Sequence, residues 1–266
     1  MNKILLVAAS AALSFNAFSF EDFVQDLDAN ETNISTGFSS TSQTITMSNS
    51  SESIKESIDT DSYQFSAAHI TNLSQNSLVG FGAGFDRSSS DGEDSDTTSV
   101  AVAFIQKETL SNDALSLSFT YEFGEEEDRD EIGFSLSKQL KSGTNSDLDG
   151  ELTFGVSLPE DTDAVSGGNS FSVGASGRIK FSEQFRLIGG AALVSISDYK
   201  YDSGATFSVD PSVGLFVGAA YQLSPSLILD VAYMSGGLDG SISDGGNAAD
   251  VSSDFSAVMI NLDVIL

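Results

Sequence analysis

The chain holds one histidine, His69, and no cysteine. General acid–base and nucleophilic catalysis usually need a histidine within reach of a nucleophile and an orienting acid. His69 sits on the apolar phase of an alternating segment, and no Ser/His/Asp set can be assembled around it. One imidazole and no thiol also argue against a transition-metal site. The reading is therefore of a non-enzyme with no cofactor. Two acidic runs, Asp91-Gly92-Glu93-Asp94-Ser95-Asp96 and Glu125-Glu126-Glu127-Asp128, carry oxygen ligands of the kind Ca²⁺ takes. Neither has an ordered calcium-loop spacing. They read as solvated, self-repelling loops, with divalent cations as candidate partners, including as bridges to anionic headgroups. Seven other charges form a more specific pattern. Arg178, Lys180 and Arg186 flank one short turn, and Glu122, Glu151, Asp230 and Asp263 fall on the polar phase of other alternating segments.

The formal net charge is −28 over 266 residues. Nucleic-acid binding needs Lys and Arg to meet phosphates, so that class is excluded. A basic membrane-surface patch is disfavoured on the same ground. Mean hydropathy is close to zero, and no apolar helix long enough to span a bilayer follows the first residues. Those residues read as a secretory signal. Met1-Asn2-Lys3 is a positive start, Ile4 to Phe15 is an apolar run, and Ala17-Phe18-Ser19 fits a small-x-small cleavage site. The expected division is residues 1–19 as signal peptide, 20–31 as a short N-terminal segment and 32–266 as one β domain. Phe20, Phe23, Val24 and Leu27 repeat at helical spacing, so the short segment is expected to be a helix, resting on the end of the domain or plugging it.

From there the chain alternates with period two. Side chains of a strand point to opposite faces in turn, so alternation marks a strand with one apolar face. The last stretch shows it best: Val258, Ile260, Leu262, Val264 and Leu266 share one phase, with Asn261 and Asp263 on the other. Leu115, Leu117, Phe119, Tyr121 and Phe123 repeat it against Ser116, Ser118, Thr120 and Glu122. A weaker strand spans Ile34 to Met47. The register of Phe185 to Ile196 is ambiguous. Short turns at Ser74-Gln75-Asn76-Ser77, Lys141 to Asn145, Ser182-Glu183-Gln184 and Ser224-Pro225-Ser226 alternate with longer polar stretches. The longer ones are expected to be loops at Asn49 to Asp61, Asp86 to Asp96, Pro159 to Asn169 and Ser235 to Asp254.

The count is about 12 strands, with 10 or 14 also compatible, in an all-β, up-and-down antiparallel arrangement. A closed transmembrane barrel accounts for the short turns on one side and the longer acidic loops on the other. It also accounts for a final strand that needs partners on both edges, since terminal residues fray unless tied into a sheet. Tyr63, Phe85, Tyr121, Phe123, Phe171 and Tyr233 fall at loop-side strand ends. Phe104, Phe181, Phe185 and Tyr221 fall at turn-side ends, so the aromatics mark two girdles. A secreted soluble β-sandwich or solenoid shares the alternation but leaves the loop asymmetry without a cause.

The signal, the alternating strands and a last strand ending on an apolar residue resemble Gram-negative outer-membrane β-barrel proteins of the porin-like class. The resemblance covers nearly all of the chain after the signal, residues 20–266. Such proteins most often end in Phe, whereas this chain ends in Leu266. It implies integral outer-membrane location, outer-membrane lipid as a partner, recognition of the C-terminal strand by the barrel-assembly machinery, and a monomer. The functional expectation is a passive pore for small solutes or ions, lined by Arg178, Lys180, Arg186, Glu122, Glu151, Asp230 and Asp263. Inward positions rich in Ser, Gly, Ala and Thr are expected to leave space for it. The alternative is a non-transporting barrel that displays acidic loops.

Overall fold

The computed structural model describes residues 30–49, 52–90, 93–107, 114–124, 129–141, 148–244 and 247–266. Residues 1–19, expected as signal peptide, most of the 20–31 segment and the Glu125 to Asp128 run lie outside them. The described residues form one antiparallel sheet that closes on itself through 12 strands, with no helix among them. The wall, in chain order, is β1 (Thr32–Ser48), β2 (Ser53–Ser74), β3 (Ser77–Ser90), β4 (Glu93–Lys107), β5 (Ala114–Gly124), β6 (Glu131–Lys141) and β7 (Leu148–Pro159). A short tip, β8 (Val165–Gly167), precedes β9 (Ser170–Lys180) and β10 (Phe185–Ile196). Two more tips, β11 (Tyr199–Tyr201) and β12 (Thr206–Val209), precede β13 (Ser212–Ser224), β14 (Leu227–Asp244) and β15 (Asn247–Ile265). Each wall strand pairs with its neighbour in sequence, and β15 pairs with both β14 and β1, which closes the ring. The weak first strand is thus a full partner, from Asn33↔Ile265 to Ser48↔Asp250.

Alternation decides which side chains face out. Tyr63, Leu117, Phe154, Val217 and Ile260 are exposed, and they point away from the lumen in a continuous apolar band. Their neighbours in sequence face in and are mostly small or polar (Ser62, Gln64, Ser116, Ser118, Thr153, Gly155, Gly218, Asn261), with Phe216 and Met259 the larger ones. This inverts a soluble β protein, whose large apolar residues are dry, and it is the design of a barrel set in lipid. Phe38 packs on Tyr63 at 5.3 Å between ring centroids, and Phe119 on Phe134 at 5.3 Å, both on this outer face. His69 also faces outward, with its Nδ1 2.9 Å from Thr32 Oγ1 at the turn-side rim.

Three stretches expected as loops are largely paired strand. The ladder between β1 and β2 runs through Asp59 to Ser53, that between β3 and β4 reaches Ser90↔Glu93, and that between β14 and β15 reaches Asp244↔Asn247. Mostly polar residues hid these extensions, the inward apolar ones (Ile58, Leu238, Ile242 and Val251) being too widely spaced to mark a phase. The extensions make the barrel lopsided. β1, β2, β14 and β15 have 17, 22, 18 and 19 residues, whereas β5 and β6 have 11 each. About 9–11 residues suffice to cross a bilayer, so the longer four form a tall wall beyond it.

The three tips belong to strands broken at one level. The β9–β10 register, Ser170↔Ile196 at its top, continues as Gly167↔Tyr199 between β8 and β11. The β10–β13 register continues as Tyr199↔Phe207 between β11 and β12. The breaks fall at Gly168-Asn169, Ser197-Asp198 and Asp210-Pro211. Gly167 and Gly168 take φ of 81° and 78°, a region other residues avoid, and Pro211 has no amide to donate. Backbone bonds from Ser197 N to Asn169 O (2.8 Å) and Asp210 N to Asp239 O (2.8 Å) hold the broken strands beside their neighbours.

Candidate functional site: the lumen

All seven charges singled out in the sequence sit on the inward phase of their strands. Arg178 on β9 lies directly opposite Asp149 of β7 and one step diagonal to Glu151, which pairs with Ser176. Arg186 on β10 pairs with Lys180 on one side and Ala220 on the other, and Ala220 pairs in turn with Asp230. The small Ala220 therefore separates Arg186 from Asp230 across two strands. Asp230 pairs with Asn261, and Asp263 lies two residues further along β15, opposite Ser35. Six of the seven thus gather in the turn-side half of the lumen, with Lys180 exposed at its rim. Glu122 stands apart. It lies near the outer end of β5, directly opposite Glu131 of β6, and Asp86 of β3 faces the same space. Sequence reading missed Asp149, Asp86 and Glu131 as inward charges. Asp149 and Glu131 sit at strand ends, where the alternation is too short to show its phase, and Asp86 lies in a stretch that reads as loop.

Asp263 is only 7% exposed, and its Oδ1 has no hydrogen-bond partner. Asn33, on the inward face of the adjoining strand, is equally buried with an unpartnered Oδ1. Ser135 Oγ and Asp86 Oδ2 are likewise buried without a partner, whereas Gln43 Nε2 donates to Ser253 Oγ at 2.8 Å and Ser116 Oγ is 2.8 Å from Ser137 Oγ.

Space is not left along the whole lumen. At the outer end Ile45, Leu238, Val251 and Phe255 face in from the tall wall, and Ala192, Val194 and Ile196 face in from β10. Tyr199, Phe207 and Val209 of the tips pack onto them, with Met47, Ile58, Met234 and Ile242 around the edge. Alternation changes phase across the strand breaks. Even-numbered Val194 and Ile196 are buried below them, odd-numbered Tyr199 and Phe207 above. Without that change Tyr199 and Phe207 would face outward. Their rings stack at 6.0 Å and 22°. Phe207 is completely buried. Burial also pushes the Tyr199 hydroxyl up to about 12, the largest of the influences on it, and raises that of Tyr201. A second dry cluster of Ile70, Leu78, Ala103, Ile105 and Ala114 lines the turn-side end of β2 to β5.

Arg129 completes the outer mouth. Its Nε donates to Glu160 O at 2.5 Å, and its Nη2 to Pro159 O at 3.2 Å and Asp161 Oδ1 at 3.3 Å. Asp161 Oδ1 also accepts from Gly167 N at 2.9 Å, so the β5–β6 connection is tied to the base of the β8 tip. Outside the mouth, Arg87 pairs across β3–β4 with Asp96 at 3.1 Å and Asp94 at 4.0 Å.

No family model matches the chain, and no curated protein matches it. Solved structures do match in fold. An outer-membrane channel of the COG4313 group from Pseudomonas putida F1 superposes with a TM-score of 0.69 at 14% identity, over 90% of this chain and 97% of that one. A FadL homologue from Pseudomonas aeruginosa superposes with a TM-score of 0.52 at 8% identity, over 90% of each chain. The fold is that of the outer-membrane β-barrels, as the alternation and turn pattern imply.

Proposed function

We propose that the protein is an integral outer-membrane barrel acting as a passive pore for small solutes or ions. The observation that carries this is a closed ring of 12 strands with an apolar outer belt and charges of both signs on its inner face. A barrel of that size falls between eight-stranded barrels, which side chains fill, and sixteen-stranded ones, which leave a channel. Arg178, Lys180 and Arg186, set against Glu151, Asp230 and Asp263, bias which charge passes the turn-side half, as rings of charge do in pores. Glu122 does the same nearer the outer mouth. Planar-bilayer recording of the purified protein tests this. Discrete conductance steps are expected, and their absence under all voltages and salts would end the pore reading.

The dry outer cluster favours a second reading, in which the barrel is structural and the inner charges brace its wall. Under it, recordings are silent and Arg178→Ala lowers stability only. Fractionation with a heat-modifiability gel tests the membrane location on which both readings depend. A folded barrel stays with the outer membrane and migrates abnormally until boiled.

A further inference from the structure

We propose that the tips β8, β11 and β12 form a hinged apolar gate that seals the outer mouth against ions. The inference rests on the pore reading and deepens it. In a water-filled pore, lumen-facing positions are polar and wet. Here Ile45, Val251, Leu238 and Phe255 face the lumen and are as dry as the core of a soluble domain. What dries them is the tip sheet, through Tyr199, Phe207 and Val209. An ion entering that layer sheds its hydration with no polar partner to replace it, which is the basis of gating by dewetting.

The hinge is visible in the chain. Three adjacent strands break at one level, at two left-handed glycines, at Ser197-Asp198 and at Asp210-Pro211. Above the breaks the tips stay paired with one another but touch the wall by little ladder. β12 meets β14 over Thr206↔Ser243 to Val209↔Gly240, with a one-residue shift from the β13–β14 register below. The remaining hold is apolar contact against a wall tall enough to lean on, together with the hydrogen bond from the Gly167 amide to Asp161 at the base of β8. Lifting the tip sheet breaks four residue pairs and one apolar layer while the β1–β15 and β13–β14 ladders stay closed.

Because the chain has no cysteine, it can be locked. Thr206 and Ser243 are directly paired, so Thr206→Cys with Ser243→Cys is placed to form a disulfide pinning β12 to β14. Full-length protein in planar bilayers is recorded oxidised and reduced. Separately, Phe207→Ala removes the ring at the centre of the seal. A hole left by a core phenyl group stays apolar and takes up benzene. Oxidation is expected to abolish openings and reductant to restore them. Phe207→Ala is expected to raise open probability by roughly a hundredfold or to saturation, taking a core Phe→Ala loss as the shift in the gate. Added benzene is then expected to return the current toward wild type.

If wild type conducts ions as freely as Phe207→Ala and the disulfide changes nothing, the pore stands and the gate is wrong. A raised current that benzene leaves untouched also overturns it, since the seal would then not be a dry apolar contact. If Phe207→Ala does not fold, the disulfide pair decides alone. Silence from every form, reduced protein included, defeats the pore reading itself.

Discussion

Thr32 and Leu266 exchange both backbone hydrogen bonds, the Thr32 amide donating to the Leu266 carbonyl at 3.0 Å and the Leu266 amide donating back at 2.8 Å. The last residue is thereby held in the ladder, and the first and last strands form an ordinary antiparallel seam. On the outer side of that seam Val258, Ile260, Leu262, Val264 and Leu266 make a lipid-facing stripe, with Leu262 at its middle and beside Thr36 and Leu229. A guanidinium at mid-depth on the lipid face of a barrel costs about 2–4 kcal/mol. Leu262→Arg should lose about that much in reversible urea unfolding from lipid vesicles. Asn261→Ser, on the inner face, should lose far less. Equal losses would mean the stripe does not face lipid.

That stripe was legible because one side of the strand meets hydrocarbon and the other does not, so period two is written in residue type. The same logic explains what was hidden. Above the bilayer the outer faces of β1, β2, β14 and β15 meet water, and the inward apolar residues Ile45, Leu238 and Val251 are set among so many polar ones that the stretches read as loop. The phase change at Ser197-Asp198 was equally invisible. Tyr199 sits in a stretch, Ser197 to Ala205, that reads as loop until the ladder shows it and Phe207 continuing β10 and β13 on the opposite phase. The inner charges were legible as residues on one phase. Their grouping was only partly so, because depth depends on strand shear, which sequence does not carry.

Selectivity follows from the turn-side charges. Arg178 faces Asp149 across the β7–β9 pair and Arg186 lies near Asp230 beyond Ala220. Through water, one unit charge about 8 Å from a permeating ion is worth roughly 0.5 kcal/mol, or about a factor of two in relative permeability. Arg178→Ala with Lys180→Ala should shift the reversal potential in a salt gradient toward cations by about that factor per charge. Unchanged selectivity would remove these residues from the lining.

Two inward glycines each lie under a phenyl ring on the opposite strand. Gly190 pairs with Phe216 and Gly236 with Phe255, and a Cβ on either glycine would stand 2.6 to 2.8 Å from ring atoms. A ring laid over a cross-strand glycine covers backbone that the glycine leaves bare. Gly190→Val forces Phe216 off its site, and overpacking of this kind costs about 1–3 kcal/mol. The loss should appear as a lower urea midpoint with an unchanged slope. Adding Phe216→Ala should recover much of it, and no recovery would mean the clash lies with the Ala175 carbonyl instead.

The tip sheet should loosen in alkali. The unfolded Tyr199 hydroxyl titrates near 10, and burial raises the folded value to about 12. An acid whose folded value is raised contributes stability fully below the unfolded value and loses it as pH rises through the folded one. The window is therefore about pH 10 to 12, and its size is on the order of 3 kcal/mol. Ultraviolet titration of the phenolates should show one tyrosine ionising late and together with loss of tip protection in hydrogen exchange. Tyr199→Phe should abolish the late phase and keep the tips protected to higher pH. Persistence of the late phase in that variant would assign it to another residue.

Asp263 is the inner charge whose cost is plainest. It is 7% exposed with one carboxylate oxygen unpartnered, next to an equally unpartnered Asn33 oxygen. Burying a charged acceptor without a hydrogen bond is unfavourable, and an amide of the same shape brings no net charge and two donors. Asp263→Asn should therefore raise unfolding stability in lipid by about 1 kcal/mol. If the residue serves the pore, the same change should reduce cation preference in bilayers. A variant that is both less stable and unaltered in selectivity would show that the carboxylate is a structural partner in the seam, and the proposed lining would lose its member on β15.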